Sequence, residues 1–275
     1  MRQNGSIPDR HFPLPAAIAV TAAGIAAMVF GSVALATRSG LGLRAQIALG
    51  TLSLALPALA VLLLRPDLWP AVRGARPIVG GTIGLSLLLG AALWVGSAGL
   101  MEVQSLVFPP SPEYLDAFRV IHRALAPSGP LDALVSVLVI AVLPGVCEEL
   151  VIRGVFLPSL ARSFGEGRGP WSAVLVSALL FAAIHLDGFR FLFTFVLGVA
   201  FGFLRLGTSS LWPCVLAHTC LNTLTFVVAP FVDDPTQPYT PSPALGAACL
   251  VAGVAVSWPL LRALARSVDS PVPRP

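Results

Sequence analysis

The sequence predicts an all-α, polytopic membrane protein with about eight transmembrane helices and both termini in the cytoplasm. Of its 275 residues, 56% are hydrophobic and only 11% are charged, and the mean hydropathy is +0.86. Soluble domains carry about 25% charged residues. The apolar residues also occur in runs of about 20, the length that a helix needs to cross a ~30 Å hydrocarbon core. We therefore expect one integral membrane domain over residues 1–275.

Eight apolar runs qualify as candidate spans. Their approximate bounds are 14–37, 45–64, 78–100, 133–160, 171–187, 189–206, 211–230 and 243–262. The first run follows Arg2 and Arg10 and ends near Ala34-Leu35-Ala36, which resembles a signal-peptide cleavage site. Because its apolar region is longer than about 20 residues, we interpret it as a retained anchor instead of a signal peptide.

The arginines predict the orientation. With an even number of spans, both termini and the loops after the second, fourth and sixth spans lie on one side of the membrane. That side carries Arg2, Arg10, Arg65, Arg73, Arg76, Arg162, Arg168, Arg205, Arg262, Arg266 and Arg274, whereas the other carries Arg38, Arg44, Arg119, Arg123 and Arg190. Since cytoplasmic loops have the excess of positive charge, both termini are predicted to be cytoplasmic.

The charge pattern also limits the partners. The net charge of +4 is spread over the loops and forms no stripe or polybasic cluster. Nothing therefore indicates nucleic-acid binding, and membrane lipid is the expected surrounding. All seventeen basic residues are arginine, which is typical of a GC-rich bacterial genome. We expect the protein in a bacterial plasma (inner) membrane.

A polar interruption at 101–132 separates the third span from the fourth. Four of its apolar residues recur at helical spacing, with polar residues between them: Leu115, Phe118, Ile121 and Leu125. This pattern predicts an amphipathic helix over 112–126 that lies at the membrane surface. A connector is the preferred interpretation, and a platform for substrate is the alternative.

Three short motifs place ionisable side chains inside the spans. An ionisable group at mid-membrane costs roughly 3 kcal/mol on insertion scales, so it faces a bundle interior or a cavity and usually has a task. The motifs are Glu148-Glu149-x-x-x-Arg153, Phe181-x-x-x-His185 and His218-x-x-x-Asn222, on the fourth, fifth and seventh spans. At ~1.5 Å per residue, Glu148, His185, His218 and Asn222 lie about 18, 21, 11 and 17 Å from the cytoplasmic helix ends. The three helices can therefore bring these groups together.

Helical spacing indicates how the groups are divided. Glu149 and Arg153 share one helix face, in the favourable order for an ion pair. Glu148 is rotated by about 100° and stays available for other chemistry. A glutamate beside a histidine in a partly dry site can act as a general base on water. Imidazole and amide N–H groups can stabilise an oxyanion. This combination fits hydrolysis of an amide.

In this order on successive helices, the three motifs resemble those of the CPBP family, the group of CAAX prenyl proteases (Rce1-like) and bacteriocin-processing proteins that is also called Abi. The resemblance covers about residues 131–230 as a catalytic core, with 1–110 as accessory N-terminal transmembrane helices. It implies a glutamic intramembrane endopeptidase that cleaves a membrane-associated protein or peptide. The implied general base is Glu148, with His185 as its partner in activating water. The other implied roles are an oxyanion hole from His218 and Asn222, orientation of the base by Glu149 and Arg153, and shaping of the pocket by Phe181.

Alternatives concern the metal and the activity. Glu148, His185 and His218 could supply three zinc ligands with Glu149 as the base, although no H-E-x-x-H motif occurs and the four cysteines lack metal-type spacing. We expect no cofactor. The same fold could also serve as a non-catalytic immunity or scaffold protein. Among family substrates, bacteriocin-type peptides and the C-terminal sorting tails of the myxosortase branch are favoured over prenylated CAAX proteins. Nothing in the sequence indicates an oligomeric state.

Overall fold

A computed structural model describes residues 11–38, 40–74, 80–167, 169–232 (backbone only over 229–232) and 240–266. Within these ranges the chain forms helices and no β-strand, which confirms the all-α fold. The helices are α1 (Leu14–Arg38), α2 (Leu43–Leu64), α3 (Trp69–Arg73), α4 (Gly80–Ser105), α5 (Pro112–Leu125), α6 (Pro130–Phe164), α7 (Gly169–Ala183), α8 (Phe191–Thr208), α9 (Trp212–Val232) and α10 (Pro243–Arg266).

Each of the eight apolar runs forms a helix. Six of these helices are long and apolar enough to cross a membrane, namely α1, α2, α4, α6, α8 and α10. The other two, α7 and α9 over Trp212–Val228, are apolar but shorter. The chain is therefore an integral, polytopic membrane protein. The predicted location of its termini depends on residues 1–10 and 267–275, which lie outside the described residues, as do Arg76 and Arg168.

The helices pack around two larger apolar clusters. One joins α1, α2, α3 and α6, and Phe181 and Val215 reach into it from α7 and α9. The other joins α4, α8, α9 and α10, and Phe201 lies within it. Helices α6 and α9 contact each other; α6 contributes to the first cluster, and α9 contributes to both. These two motif-bearing helices therefore lie between the α1–α2 pair and the α4–α10 pair.

Helix α6 carries the first motif and departs from regular α-geometry twice. Wider π-helical turns occur at Leu138–Val142 and at Leu150–Phe156. Each ends two residues before a proline, Pro144 or Pro158. A proline has no N–H for the carbonyl four residues earlier and clashes with it, and a π-turn lets that carbonyl pair one residue further on. Such turns occur frequently at functional sites, and here one begins directly after Glu149.

Helix α5 forms where the amphipathic helix is predicted and ends one residue earlier than expected. Its first turn is capped by Ser111, whose Oγ accepts a hydrogen bond of 3.2 Å from the Tyr114 N–H. At its last turn, Arg44 of α2 donates to the Leu125 and Ala126 carbonyls, at 2.9 and 3.2 Å. The side chain of Arg44 from α2 therefore holds the end of α5. Its location at the membrane surface stays a prediction.

Candidate active site

The structure brings Glu148, His185 and His218 together, although they lie far apart in the sequence. The Glu148 Oε2 atom is 3.9 Å from Nε2 of His185 and 3.9 Å from Nε2 of His218. These distances are too long for direct hydrogen bonds and short enough for a bridging water. The same oxygen is buried and accepts no hydrogen bond from any described residue. A small polar molecule between the two rings would therefore have three partners.

His185 follows the end of α7 instead of lying within it. The helix ends at Ala183, four residues before the predicted end of the span, and His185 occupies a hydrogen-bonded turn. Its Nδ1 is 2.7 Å from the Phe181 carbonyl oxygen. Because a carbonyl only accepts, Nδ1 carries the proton, and Nε2 of the neutral ring presents a lone pair toward Glu148. This tautomer is the one that a proton-accepting role requires.

Glu149 is held by two donors. Its Oε1 accepts from Nη1 of Arg153 at 3.0 Å and from Nδ1 of His218 at 2.9 Å. The side chains of Glu149 and Arg153 are fully buried. The guanidinium also donates to the Gly198 carbonyl of α8 at 3.2 Å. The ion pair predicted from the spacing is therefore present. Its glutamate contacts His218 directly, whereas the resemblance implies that the pair orients Glu148.

The contact with Glu149 determines what His218 can do. A carboxylate only accepts, so Nδ1 of His218 carries a proton. The opposite atom, Nε2, faces Glu148 and is an acceptor in the neutral ring. As an imidazolium the ring would donate from Nε2 as well. As an imidazolium, His218 can therefore donate from Nε2 both to a bound water and to an oxyanion.

Two aromatic rings enclose these polar groups. The Phe181 ring lies 4.2 Å from the Arg153 guanidinium carbon and packs edge-on against both His185 and His218, with centroid separations of 5.0 and 5.9 Å. The Phe201 ring of α8 stacks on His218 at 5.3 Å. Phe181 thus lies beside His185 as expected. Phe201 was not predicted, because nothing in its apolar run distinguishes it from neighbouring residues.

Asn222 lies one turn beyond His218 on α9 and is half-buried. None of the hydrogen bonds among the described residues uses its side-chain amide. The spacing of four residues places both side chains on one face of the helix. The Asn222 amide is therefore available to a bound molecule on the His218 side of α9.

Arg205 is a buried residue of the site's surroundings, although the sequence counts it among the arginines of the cytoplasmic side. It lies within α8 and is only 6% exposed. Its Nε donates to the Arg153 carbonyl at 3.0 Å, and its Nη2 donates to the Ala71 and Val72 carbonyls at 3.1 and 3.3 Å. The signal that could have identified it is an arginine within an apolar run with no acidic neighbour. Without Arg205, the predicted cytoplasmic side still has more arginines than the opposite side.

The zinc alternative needs Glu148, His185 and His218 as ligands and Glu149 as the base. Among the described residues, no group of three or more His, Cys, Asp or Glu side chains is arranged to hold a metal ion. Glu149, the base in the zinc alternative, is fully buried and binds Arg153 and His218. Cys147, the neighbour of Glu148, is 4% exposed and packs in the apolar cluster around α2 and α6. Neither residue is placed to act on a bound molecule.

Comparison with known proteins identifies the segment that carries this geometry. Residues 130–224 match the model of a family described as type II CAAX prenyl endopeptidase Rce1-like. The match begins at the start of α6, ends within α9 and includes all seven of the predicted site residues. No curated protein and no solved structure matches the chain.

Proposed function

We propose, from the match of residues 130–224 to the Rce1-like family of type II CAAX prenyl endopeptidases, that the protein is a glutamic intramembrane endopeptidase. A CAAX-type membrane protease is what the family supports in general. The finer proposal is that Glu148 activates the attacking water. It rests on a single observation: one buried carboxylate oxygen without a hydrogen bond from any described residue lies 3.9 Å from two imidazole nitrogens.

In the first step, a water binds between Glu148 Oε2 and the two Nε2 atoms. Glu148 takes a proton from this water, and His185 accepts the second O–H in a hydrogen bond. The water oxygen attacks the carbonyl carbon of the scissile peptide bond, and the carbonyl π electrons move to its oxygen. The product of this step is a tetrahedral intermediate with one negative charge on oxygen.

In the second step, the oxyanion is stabilised and the intermediate collapses. The Asn222 amide donates to the oxyanion, and so does Nε2–H of His218, which is an imidazolium from the start of the reaction and transfers no proton. The C–N bond breaks as Glu148 returns its proton to the leaving amine. Glu149 and Arg153 do not touch the substrate. Glu149, which is held by Arg153, accepts a hydrogen bond of 2.9 Å from Nδ1 of His218. Phe181 packs against the His185 and His218 rings.

The proposed substrate is a membrane-associated protein or peptide that is cleaved near its C-terminus. The arginine-only composition supports a bacterial plasma membrane, and in that setting a C-terminal sorting tail of the myxosortase type or a bacteriocin-type peptide is the proposed cargo. An extended peptide would reach the site between α6, α7 and α9. The proposal includes no metal, and the surrounding partner is membrane lipid.

Comparative membrane proteomics tests the proposal. A deletion strain is complemented with the wild-type chain, with Glu148→Gln or with Cys147→Ala. We expect one or more C-terminal tails to persist in the Glu148→Gln strain and to be removed in the other two, because only that variant lacks the base. Purified wild-type enzyme should then cleave the identified tail after treatment with a metal chelator. An identical proteome with Glu148→Gln and with wild type would contradict the proposal and favour a scaffold.

A further inference from the structure

The turn that carries His185 has an unfavourable backbone conformation. Leu186, directly after the histidine, has φ = +52°, in the left-handed region that a leucine rarely adopts. Such a conformation persists only where the surroundings enforce it, and it is concentrated at functional sites. The His185 ring itself has one local hydrogen bond, to the carbonyl of Phe181. The position of its Nε2 therefore depends on what holds the residues that follow.

Two neighbouring helices hold those residues. The Asp187 carboxylate accepts from the Arg190 N–H through Oδ1 and from the Tyr114 hydroxyl of α5 through Oδ2, both at 3.0 Å. The Tyr114 ring also packs against Phe189, with centroids 5.3 Å apart. From α4, Gln104 donates to the Phe189 carbonyl at 2.8 Å. The turn is thus attached to the end of α4 and to the first turn of α5.

Tyr114 is suited to be a permanent donor. Burial, together with the neighbouring Asp187 charge, raises the pKa of the Tyr114 phenol above its ordinary value. The hydroxyl therefore keeps its proton at neutral pH. The acceptor is an aspartate two residues beyond His185, so a displacement of α5 is passed to the histidine over a short stretch of backbone.

We propose that Tyr114 and Asp187 are positioning residues for His185, and that through their hydrogen bond α5 sets the place of the imidazole opposite Glu148. The inference rests on the proposed function, in which His185 is the partner of Glu148. It gives the amphipathic helix a role beyond that of a connector. A movement of α5, whether caused by membrane or by substrate, would alter catalysis through this hydrogen bond.

A second role for Tyr114 leads to a different kinetic outcome. Its side chain also lines a cavity of about 570 Å³ between the end of α4, the start of α5 and residues 188–192. If the hydroxyl contacted substrate in this cavity, its loss would raise KM. If it positions His185, its loss lowers kcat and leaves KM unchanged.

The test compares Tyr114→Phe, which keeps the ring and removes the hydroxyl, with Asp116→Asn, which removes an exposed carboxylate from the same helix. With the tail peptide found by proteomics as substrate, we expect Tyr114→Phe to lower kcat by about 10- to 100-fold at constant KM. Asp116→Asn should match wild type. Asp187→Asn keeps a single acceptor oxygen, so its kcat should lie between those of wild type and Asp187→Ala. Wild-type kcat in Tyr114→Phe, or a rise in KM alone, would overturn the inference.

A measurement independent of catalysis separates this inference from the proposed function. Hydrogen exchange of residues 184–191 should be faster in Tyr114→Phe and Asp187→Ala, and unchanged in Asp116→Asn. Unchanged exchange in Tyr114→Phe would overturn the positioning role whatever the activity. Faster exchange together with full activity of Glu148→Gln would instead overturn the proposed function and leave the attachment of the turn to α5 standing.

Discussion

Glu148 and Glu149 are adjacent, yet the fold gives them opposite environments. The two side chains point about 100° apart on α6. Each carboxylate has a buried Oε2 atom without a hydrogen bond from the described residues, but Glu149 Oε1 accepts from Arg153 and His218, whereas Glu148 Oε2 faces two imidazole nitrogens at 3.9 Å. The Glu149 carboxylate is thus used within the fold, and the Glu148 carboxylate faces a space that a water can bridge. We therefore assign structure to Glu149 and chemistry to Glu148.

The first prediction follows from this difference. Glu149→Gln removes the negative charge between two buried donors and leaves the Arg153 guanidinium without an anion. Breaking a buried ion pair by loss of one partner costs roughly 3–5 kcal/mol. We expect a lower thermal unfolding midpoint and a lower yield in detergent. Glu148→Gln, the matched control, should unfold at or above the wild-type midpoint. Equal midpoints for the two variants would contradict the division of roles.

At the scale of elements, the site depends on how closely helices approach and on how one helix is held. Gly198 of α8 lies against α7, where a Cβ atom would come within 2.8 Å of Ala178 Cα. Its carbonyl accepts the hydrogen bond of Arg153. Arg205 of the same helix donates to the carbonyl of Arg153. Helix α8 thus contributes no predicted catalytic residue and still fixes the segment of α6 that follows Glu149.

Gly198→Ala tests the close approach. The added methyl group meets backbone and forces α7 and α8 apart, at a cost of about 1–3 kcal/mol for overpacking. Gly84→Ala is the matched control, because no described atom lies within 4 Å of a Cβ at that position. We expect the unfolding midpoint in detergent to fall for Gly198→Ala only. A similar fall for both variants would show that the contact is not responsible.

Arg205→Met tests the attachment of α8 to α6 and α3. The substitution keeps an apolar side chain of similar length and leaves the carbonyls of Ala71, Val72 and Arg153 without this donor. Each buried polar group without a partner costs roughly 1–3 kcal/mol. We expect a lower unfolding midpoint for Arg205→Met. The midpoint should recover in part in Arg205→Lys, which keeps the charge but lacks the planar guanidinium with its several N–H donors. Arg262→Met, which removes an arginine stacked on Trp258 of α10, should unfold close to wild type.

At the scale of the whole molecule, α6 and α9 lie between two outer helix pairs. The α1–α2 pair packs on α6, α4 packs on α9, and α10 packs on α4 and α8. The outer pairs carry no predicted catalytic residue. This arrangement gives the accessory N-terminal helices a structural role that the sequence motifs do not reveal.

The arginine distribution leads to a topology prediction. In a bacterial host, fluorescent-protein fusions at the C-terminus should fluoresce, and alkaline phosphatase fused at the same point should be inactive, because that terminus is predicted to be cytoplasmic. Phosphatase fused after Pro127, between α5 and α6, should be active. Active phosphatase at the C-terminus would reverse the orientation or change the number of spans.

The sequence by itself determined the membrane class, the helices and the Glu149–Arg153 pair, and it predicted the seven site residues. These are local properties: the length of an apolar run, the cost of a charge within it and the spacing of four residues along one helix. Only the tertiary structure decided that Glu149 holds His218, that Phe201 stacks on the same ring, that Arg205 is buried and that Tyr114 reaches Asp187. Each of these contacts joins residues from different elements of the chain. The rotation and depth of one helix against another arise from the packing of all side chains between them, which no local pattern specifies.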